Sequence, residues 1–218
     1  FAYTVDGGYE CEIEYENFNG CDAKFEIQGI NVHPGTAKNV MINASLLAME
    51  INSLLPGVEI PGCTEEYEGF YHLTRMEGNV KKAALEYIVR DHSKELYEAR
   101  KNTLKHIAKI INEKYGEETV NITITDRYAN MAELIKPHFH LIENAESAIR
   151  KIGLKPIVKP IRGGTDGARL SYMGLPCPNL GTGGYGFHGP YEHITAEGME
   201  VSVSIITELI KIYSEYEH

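Results

Sequence analysis

The sequence of 218 residues has no excess of positive charge, no long apolar run and no closely spaced pair of cysteines. Its 31 acidic residues outnumber 21 lysines and arginines, and the net charge of −10 argues against nucleic acid as a partner. No apolar run approaches the roughly 18 residues of a membrane span, and no signal peptide is recognisable. We therefore expect neither a nucleic-acid nor a membrane partner.

The four cysteines are widely scattered and contain no C-x-x-C pair. This pattern indicates reduced thiols in a cytoplasmic protein and excludes a disulfide framework or a zinc knuckle. The chain also lacks an initiating methionine, since it begins at Phe1 within a predicted strand. We therefore expect it to be part of a longer protein.

The middle of the chain, residues 20–127, follows a regular order of predicted elements. Strands are predicted at Lys24–Ile30, Glu68–Met76, Ala83–Asp91 and Thr119–Thr125, and helices at Asn39–Leu55 and from the cap Ser93 to about Tyr115. The order β-α-β-β-α-β predicts a ferredoxin-like module, in which two helices cover one face of an antiparallel sheet.

The flanking segments, residues 1–19 and 128–218, alternate helices with short strands, which is typical of an α/β layer. The predicted strands are Phe1–Val5, a half-exposed Cys11–Phe18, Lys155–Lys159 and Cys177–Leu180; the predicted helices are His140–Ile152, Asp166–Met173 and one from the cap Thr195 to about Tyr216. The sequence thus predicts a mixed α+β and α/β fold. The ferredoxin-like module is inserted into an α/β domain that is poor in strands and incomplete.

Nine of the 21 glycines lie between Pro160 and Glu192, around Arg162 and His188. This density indicates a backbone that takes positive φ angles or closely approaches another group. One interpretation is the wall of an active site, where Arg162 holds an anion and His188 binds a metal or carries a proton. The alternative is a turn-rich connection with a structural histidine.

Several motifs together resemble one enzyme family. They are Tyr3-Thr-Val-Asp6-Gly-Gly, Asn31-Val-His33-Pro-Gly-Thr-Ala-Lys38, Tyr67-Glu-Gly-Phe-Tyr-His-Leu73, Arg90-Asp91, Pro160-Ile-Arg-Gly-Gly-Thr-Asp-Gly-Ala168, Met173-Gly-Leu-Pro-Cys-Pro-Asn179 and Gly183-Gly-Tyr-Gly-Phe-His188-Gly. The chain is similar to the C-terminal half of the aminotripeptidases among the di-zinc exopeptidases, whose catalytic domain carries an inserted lid domain. The resemblance covers essentially the whole chain.

The resemblance implies a role for each matching residue. Asp6 and His188 correspond to ligands of the two Zn²⁺ ions. His33, on the lid, corresponds to a histidine that stabilises the tetrahedral intermediate, in related dimers within the partner subunit's active site. The lid is accordingly expected to form a homodimer.

The resemblance also implies that Arg90 and Arg162 anchor the terminal carboxylate of a tripeptide, with Gly163 and Gly164 beside Arg162. Glu192 is interpreted as a group that orients His188, and Asp166 as a favourable partner of a helix dipole.

The chain departs from the family pattern, because the His-x-Asp motif, the bridging aspartate and the Glu-Glu pair cannot be placed in it. We therefore expect a zinc-dependent aminopeptidase that is specific for tripeptides. Its missing N-terminal half is expected to be a necessary partner, and this chain is expected to be inactive alone. The alternatives are a related di-zinc dipeptidase or deacylase, and a non-catalytic dimerisation module.

Overall fold

A computed structural model describes residues 1–215 and divides the chain into two units. The α/β unit consists of Phe1–Phe18 together with the residues from Ala129 onward, and the lid unit is Asn19–Tyr128. Each unit buries its own cluster of apolar side chains.

The strands are β1 (Thr4–Gly7), β2 (Glu12–Glu14), β3 (Asn19–Gln28), β4 (Phe70–Gly78), β5 (Lys82–Asp91), β6 (Val120–Tyr128), β7 (Ile157–Val158), β8 (Asn179–Gly181), β9 (Gly184–Tyr185) and β10 (His193–Ile194). The α-helices are α1 (Ala44–Ser53), α2 (Lys94–Tyr115), α3 (Ala132–Ile135), α4 (His140–Lys151), α5 (Asp166–Tyr172) and α6 (Ala196–Ser214).

The lid unit is an antiparallel sheet in the order β4-β5-β3-β6, and α1 and α2 pack against it. Along β3, buried residues alternate with exposed ones from Ala23 to Gln28, as expected when one face of a sheet is covered. Of the five helix positions predicted to face the core, Ala44, Leu47, Ala48 and Ile51 are buried. The fifth, Val40, precedes the helix and is 51% exposed. The α+β fold class predicted from the sequence is confirmed.

The start of α1 corrects the sequence prediction, which placed it at Asn39. Asn39 has a φ of 61°, outside the helical region, and the helix begins after Asn43. The Asn43 side chain caps the helix by accepting hydrogen bonds from the main-chain N–H groups of Ser45 and Leu46. By contrast, α2 starts after its predicted cap Ser93 and ends at Gly116, whose φ is 112°.

The α/β unit has a sheet in the order β1-β8-β2-β7. The β1–β8 and β2–β7 pairs are parallel and the β2–β8 pair is antiparallel. Ile13 of β2 and Leu180 of β8 lie in the core with side chains of α4 and α6.

The prediction of a half-exposed strand around Ile13 is wrong, because all of β2 is buried. This strand is central in the sheet, so Glu12 and Glu14 are covered as fully as Ile13. Glu12 forms an ion pair with Lys159, which gives its buried charge a partner.

Helix α6 starts after the predicted cap Thr195, whose hydroxyl accepts a hydrogen bond from the Gly198 N–H at 3.0 Å. Its predicted end at Tyr216 lies outside the described residues. All four cysteines are free. Within residues 1–215, none of the helices has the length and apolar character needed to span a membrane.

Candidate functional site

Asp6 lies near the end of β1, and its side chain is exposed. The turn after it is packed against buried carboxylates of β2. The main-chain N–H of Tyr9 donates a hydrogen bond to Glu12 Oε2 at 3.0 Å. A Cβ atom on Gly7 would lie 2.9 Å from Glu14 Oε2, closer than side-chain carbons are found. Glycine is therefore required here by close packing, and the turn holds Asp6 at the edge of the sheet.

The same turn is hydrogen-bonded to the second half of the glycine-rich segment, Pro160–Glu192. The Thr182 N–H lies 3.1 Å from Gly8 O, and the Gly183 N–H donates to the same oxygen at 3.1 Å. These bonds continue the parallel pairing of β1 with β8. The fold therefore joins the Asp6 turn to the segment that leads through β9 to His188.

His188 follows β9 in an exposed loop and has a φ of 60°. Its main-chain N–H donates to Glu192 Oε2 at 2.8 Å. Glu192, expected to orient the imidazole, thus holds the main chain of His188 in this left-handed conformation. The adjoining β9–β10 ribbon is supported by stacking of the Tyr185 and His193 rings, whose centroids lie 5.4 Å apart.

Arg162 is half-buried, and its Cζ lies 5.2 Å from the centroid of the Phe18 ring. The segment is fixed to the main chain beside Phe18, because the Phe18 N–H donates to Gly163 O at 3.2 Å. A guanidinium stacked on an aromatic ring can also pair with a carboxylate through the donors at its edge. Gly164 is exposed and precedes Thr165, the cap of α5.

The glycine-rich segment contains glycines with positive φ angles and glycines at a close approach to another group, as its composition predicted. Gly183 and Gly186 have φ angles of 78° and 66°. Gly167 instead allows close packing, because a Cβ there would collide with Cys177 O and lie 2.8 Å from Asn179 Oδ1. The segment is therefore constrained along much of its length.

His33 of the lid unit is exposed and precedes a short 3₁₀ helix, Pro34–Thr36. Its Nδ1 accepts a hydrogen bond from the Gly35 N–H at 3.1 Å. Because Nδ1 is an acceptor, the neutral imidazole carries its proton on Nε2. The ring therefore presents an N–H donor, the group needed to stabilise a developing oxyanion.

Arg90, near the end of β5, lies between two aromatic rings. Its Cζ is 5.8 Å from the Phe70 centroid and 5.9 Å from the Tyr128 centroid. The neighbouring Asp91 accepts a 2.8 Å hydrogen bond from Arg100 Nε. The rings orient the Arg90 side chain, as the Phe18 ring does for Arg162.

Asp6 and His188 carry the oxygen and nitrogen donors that zinc uses. However, within residues 1–215 the structure brings together no group of three or more His, Cys, Asp or Glu side chains that could hold a metal ion. A zinc site in proteins takes at least three protein ligands. The described residues therefore do not fit a complete zinc site.

Sequence reasoning missed Glu12 and Glu14 as supports of the Asp6 turn. Burial of Glu14, together with the charges of Glu12 and Asp6, raises the pKa of its carboxyl group to about 7. In the sequence these glutamates alternate with apolar residues and have the pattern of a half-exposed strand. The one local signal was their position directly after the Asp6-Gly-Gly turn.

The chain is similar to known proteins along almost its whole length. Residues 15–119 match the peptidase dimerisation domain family. Over 215 residues, or 99% of its length, the chain is 51% identical to "Peptidase T" of Alkaliphilus oremlandii and 55% identical to "Peptidase T" of Clostridium perfringens. The chain resembles peptidase T along nearly all of its length. It covers 53% of each of these two relatives, about half of their length.

Three solved peptidase structures have a similar fold. A tripeptidase from Staphylococcus aureus has a TM-score of 0.87 at 19% identity, covering 99% of this chain and 57% of its own. The aminopeptidase PepT from Bacillus cereus has a TM-score of 0.81 at 21% identity, with the same coverage. YXEP of Bacillus subtilis, described as a dinuclear metal-binding peptidase, has a TM-score of 0.65 at 19% identity, covering 99% of this chain and 56% of its own. At these identities the likeness establishes the fold alone.

Proposed function

We propose that the chain is part of a cytoplasmic, zinc-dependent aminopeptidase that releases the N-terminal residue from tripeptides. The observation that carries the proposal is identity of 51–55% to proteins named peptidase T along 99% of the chain. In the proposed enzyme Asp6 and His188 each contribute one ligand to a pair of Zn²⁺ ions. The other ligands and the general base come from a segment equivalent to the half of the relatives that this chain does not match.

Substrate recognition is assigned to the two arginines that lie against aromatic rings. Arg90 and Arg162 bind the terminal carboxylate of the tripeptide, and the main chain at Gly163 and Gly164 lies beside Arg162. A guanidinium can pair with a carboxylate through two parallel hydrogen bonds, which selects a free peptide C-terminus. His33 supplies its Nε2–H to the oxyanion of the tetrahedral intermediate.

An apolar groove in the α/β unit supports the need for a further segment. It has a volume of about 510 Å³ and is lined by side chains of β1 and α6, including Val5, Ile206 and Ile210. Strand β1 is an edge strand whose other side has no neighbour within the described residues. We infer that the equivalent of the unmatched half of the relatives covers the groove and continues the sheet beyond β1, since exposed apolar patches and open edges favour association.

The cytoplasmic location is supported by the four free cysteines. The match of residues 15–119 to a dimerisation domain supports a homodimer formed through the lid unit. Neither the cytoplasmic location nor the homodimer depends on the zinc ligands, so each can be tested separately from catalysis.

A panel of peptides tests the proposal. The chain alone should release no N-terminal residue from a tripeptide, and hydrolysis should appear when the N-terminal half is supplied with zinc. Equal turnover of dipeptides, or preferred turnover of N-acylated peptides, would instead identify the related dipeptidase or deacylase. Absence of any hydrolysis by the zinc-loaded complex would favour the non-catalytic dimerisation module.

A further inference from the structure

Asn179 is a buried amide at the centre of a polar row that crosses the sheet of the α/β unit. It lies on β8 and is 1% exposed. Its register partners are Thr4 on β1 and Glu14 on β2, the two strands on either side of β8. A buried side-chain amide needs a partner for each of its donors and acceptors, so its contacts indicate what it holds in place.

The orientation of the Asn179 amide is fixed by the chemistry of its partners. The Thr165 hydroxyl accepts a hydrogen bond from the Gly167 N–H at 3.1 Å, which leaves its own proton for Asn179 Oδ1, 2.9 Å away. The Thr4 hydroxyl donates to the same oxygen. On the other side, Asn179 Nδ2 donates to Glu14 Oε2 at 3.4 Å. The same assignment of the amide oxygen and nitrogen therefore satisfies all of these partners.

The Arg162–Thr165 segment is joined to the sheet through this amide. The segment contains two consecutive glycines, whose backbone has more conformational freedom than that of other residues. Near one end, the Phe18 N–H donates to Gly163 O at 3.2 Å. At the other end, the Thr165 hydroxyl donates to Asn179 Oδ1. The second of these contacts determines how the glycines lead into α5.

One oxygen atom holds both this segment and the strand that carries Asp6. Asn179 Oδ1 accepts hydrogen bonds from Thr165 and from Thr4, which precedes Asp6 by two residues on β1. The surroundings are closely packed, because a Cβ atom on Gly167 would lie 2.8 Å from Asn179 Oδ1 and 3.0 Å from Thr4 Oγ1. The position of the segment relative to β1 therefore depends on Asn179.

We propose that Asn179 is a positioning residue, which holds the Arg162–Thr165 segment in the conformation that binds the terminal carboxylate of a peptide. It acts through Thr165 and does not itself contact the substrate. The proposal rests on the proposed function, which assigns carboxylate binding to Arg162 and the adjoining glycines. Without the hydrogen bond to Asn179, binding of the peptide also has to order the segment, which weakens binding and leaves the chemical step unchanged.

Kinetics on two substrates test the assignment. In the complex with the N-terminal half, Asn179→Ala should raise the KM for a tripeptide by about fivefold or more, because binding then has to order the segment. The kcat should stay within about twofold of the wild-type value. A tripeptide amide lacks the carboxylate, so its KM should change by less than about twofold. General damage to the fold would instead affect both substrates alike.

Two control variants isolate the hydrogen bond to Thr165. Asn179→Asp keeps an oxygen that accepts from both threonines. At pH 6, below the pKa of about 7 of Glu14, the protonated Glu14 can donate to the new carboxylate. The KM of this variant should therefore lie within about twofold of the wild-type value at the same pH. Thr4→Val removes the other donor to the same oxygen and should leave the KM unchanged.

NMR relaxation of this chain alone tests the same claim without catalysis. The backbone order parameters of Gly163 and Gly164 should fall by about 0.2 in Asn179→Ala and keep their wild-type values in Thr4→Val. If Asn179→Ala does not fold, Thr165→Val breaks the same hydrogen bond from the other side and should give the same changes. Where both fold, the double variant should raise the KM no further than Thr165→Val alone, since the two residues act through one bond.

A raised KM for the tripeptide alone in Asn179→Ala, recovery in Asn179→Asp and increased motion of the two glycines would together support the proposal. It is overturned by an equal rise of the KM for the tripeptide and its amide, by an equal effect of Thr4→Val, or by unchanged order parameters. The order parameters do not depend on hydrolysis. Failure of the proposed peptidase, seen as a lack of tripeptide hydrolysis by the wild-type complex, is therefore distinguishable from failure of this inference.

Discussion

Glu14 and Asn179 are register partners on adjacent antiparallel strands, and Asn179 Nδ2 donates a 3.4 Å hydrogen bond to Glu14 Oε2. Asn179 Oδ1 also accepts hydrogen bonds from the hydroxyls of Thr4 and Thr165. A polar network is therefore buried beneath the Asp6 turn and the start of α5.

The raised pKa of Glu14 predicts that the α/β unit loses stability as the pH rises. Burial is the main cause of the raised pKa. The charges of Glu12 and Asp6 raise the pKa further, whereas the Asn179 hydrogen bond and the charge of Lys159 lower it. Between the ordinary pKa of 4.5 and the folded-state value of about 7, the unfolded chain releases a proton that the folded chain keeps. The free energy of unfolding therefore falls through this window, by at most about 3 kcal/mol, and the loss is complete above it.

Glu14→Gln tests this dependence, because glutamine resembles the protonated carboxyl group and does not titrate. Relative to the wild type, the variant should gain stability between pH 5 and pH 8. The measurement is amide hydrogen exchange of Ile13 and Leu180, which reports unfolding of this sheet. Glu143→Gln, at an exposed position on α4, is the control. If Glu14→Gln and Glu143→Gln changed the amide exchange rates equally at pH 5 and at pH 8, the proton on Glu14 would not contribute to the stability of the fold.

The buried ion pair of Arg100 and Asp91 predicts a large loss of stability in the lid unit. Asp91 is 2% exposed and Arg100 13%, and Arg100 also pairs with Glu59. Arg100→Met leaves the Asp91 carboxylate buried without this partner, which should lower the free energy of unfolding by about 3 kcal/mol or more. Urea unfolding followed by circular dichroism measures the change.

The matched substitution is Lys24→Met, which removes one partner of an exposed pair with the same 2.8 Å separation. It should change the unfolding midpoint little, since exposed pairs are screened by water. If the two methionine variants unfolded at the same urea concentration, burial would not increase the contribution of the Arg100–Asp91 pair to the free energy of unfolding.

The two arginines beside aromatic rings predict selectivity for a free peptide C-terminus. In the complete enzyme, Arg162→Gln and Arg90→Gln should each raise the KM for a tripeptide by about tenfold to a hundredfold, as expected for loss of a charged hydrogen bond. A tripeptide amide, which lacks the carboxylate, should respond much less. Steady-state kinetics with the tripeptide and with its amide test the assignment. An arginine whose substitution raises the KM of both substrates equally does not bind the carboxylate.

Local signals explain which parts of the fold were predictable. Helix α2 could be delimited because Ser93 and Gly116 act within one turn of its ends. The start of α1 could not, because Asn39 and Asn43 are both plausible helix-capping residues, and the backbone conformation that excludes Asn39 depends on its surroundings. Glu12 is buried because β2 lies between β8 and β7, two strands distant in sequence, so its alternating local pattern did not indicate the burial.

The candidate site was predictable only in part for the same reason. Motifs located Asp6, His33 and His188, whose assignment to catalysis stays a prediction. The hydrogen bonds that join Gly8 to Thr182 and Gly183 result from pairing of strands distant in sequence. The contact of Glu192 with the main chain of His188, rather than with its ring, depends on a backbone angle that the sequence does not specify.

The role of His188 as a zinc ligand is tested by the effect of His188→Ala on the complex of this chain with the N-terminal half. We expect kcat/KM for a tripeptide to fall by more than about 100-fold, since altering even the supports of metal ligands costs about 10- to 100-fold. Bound zinc, measured by mass spectrometry of the native complex, should fall as well. His106→Ala, at an exposed position on α2, should change neither quantity. Full activity and full zinc content in His188→Ala would contradict the assignment of His188 as a metal ligand.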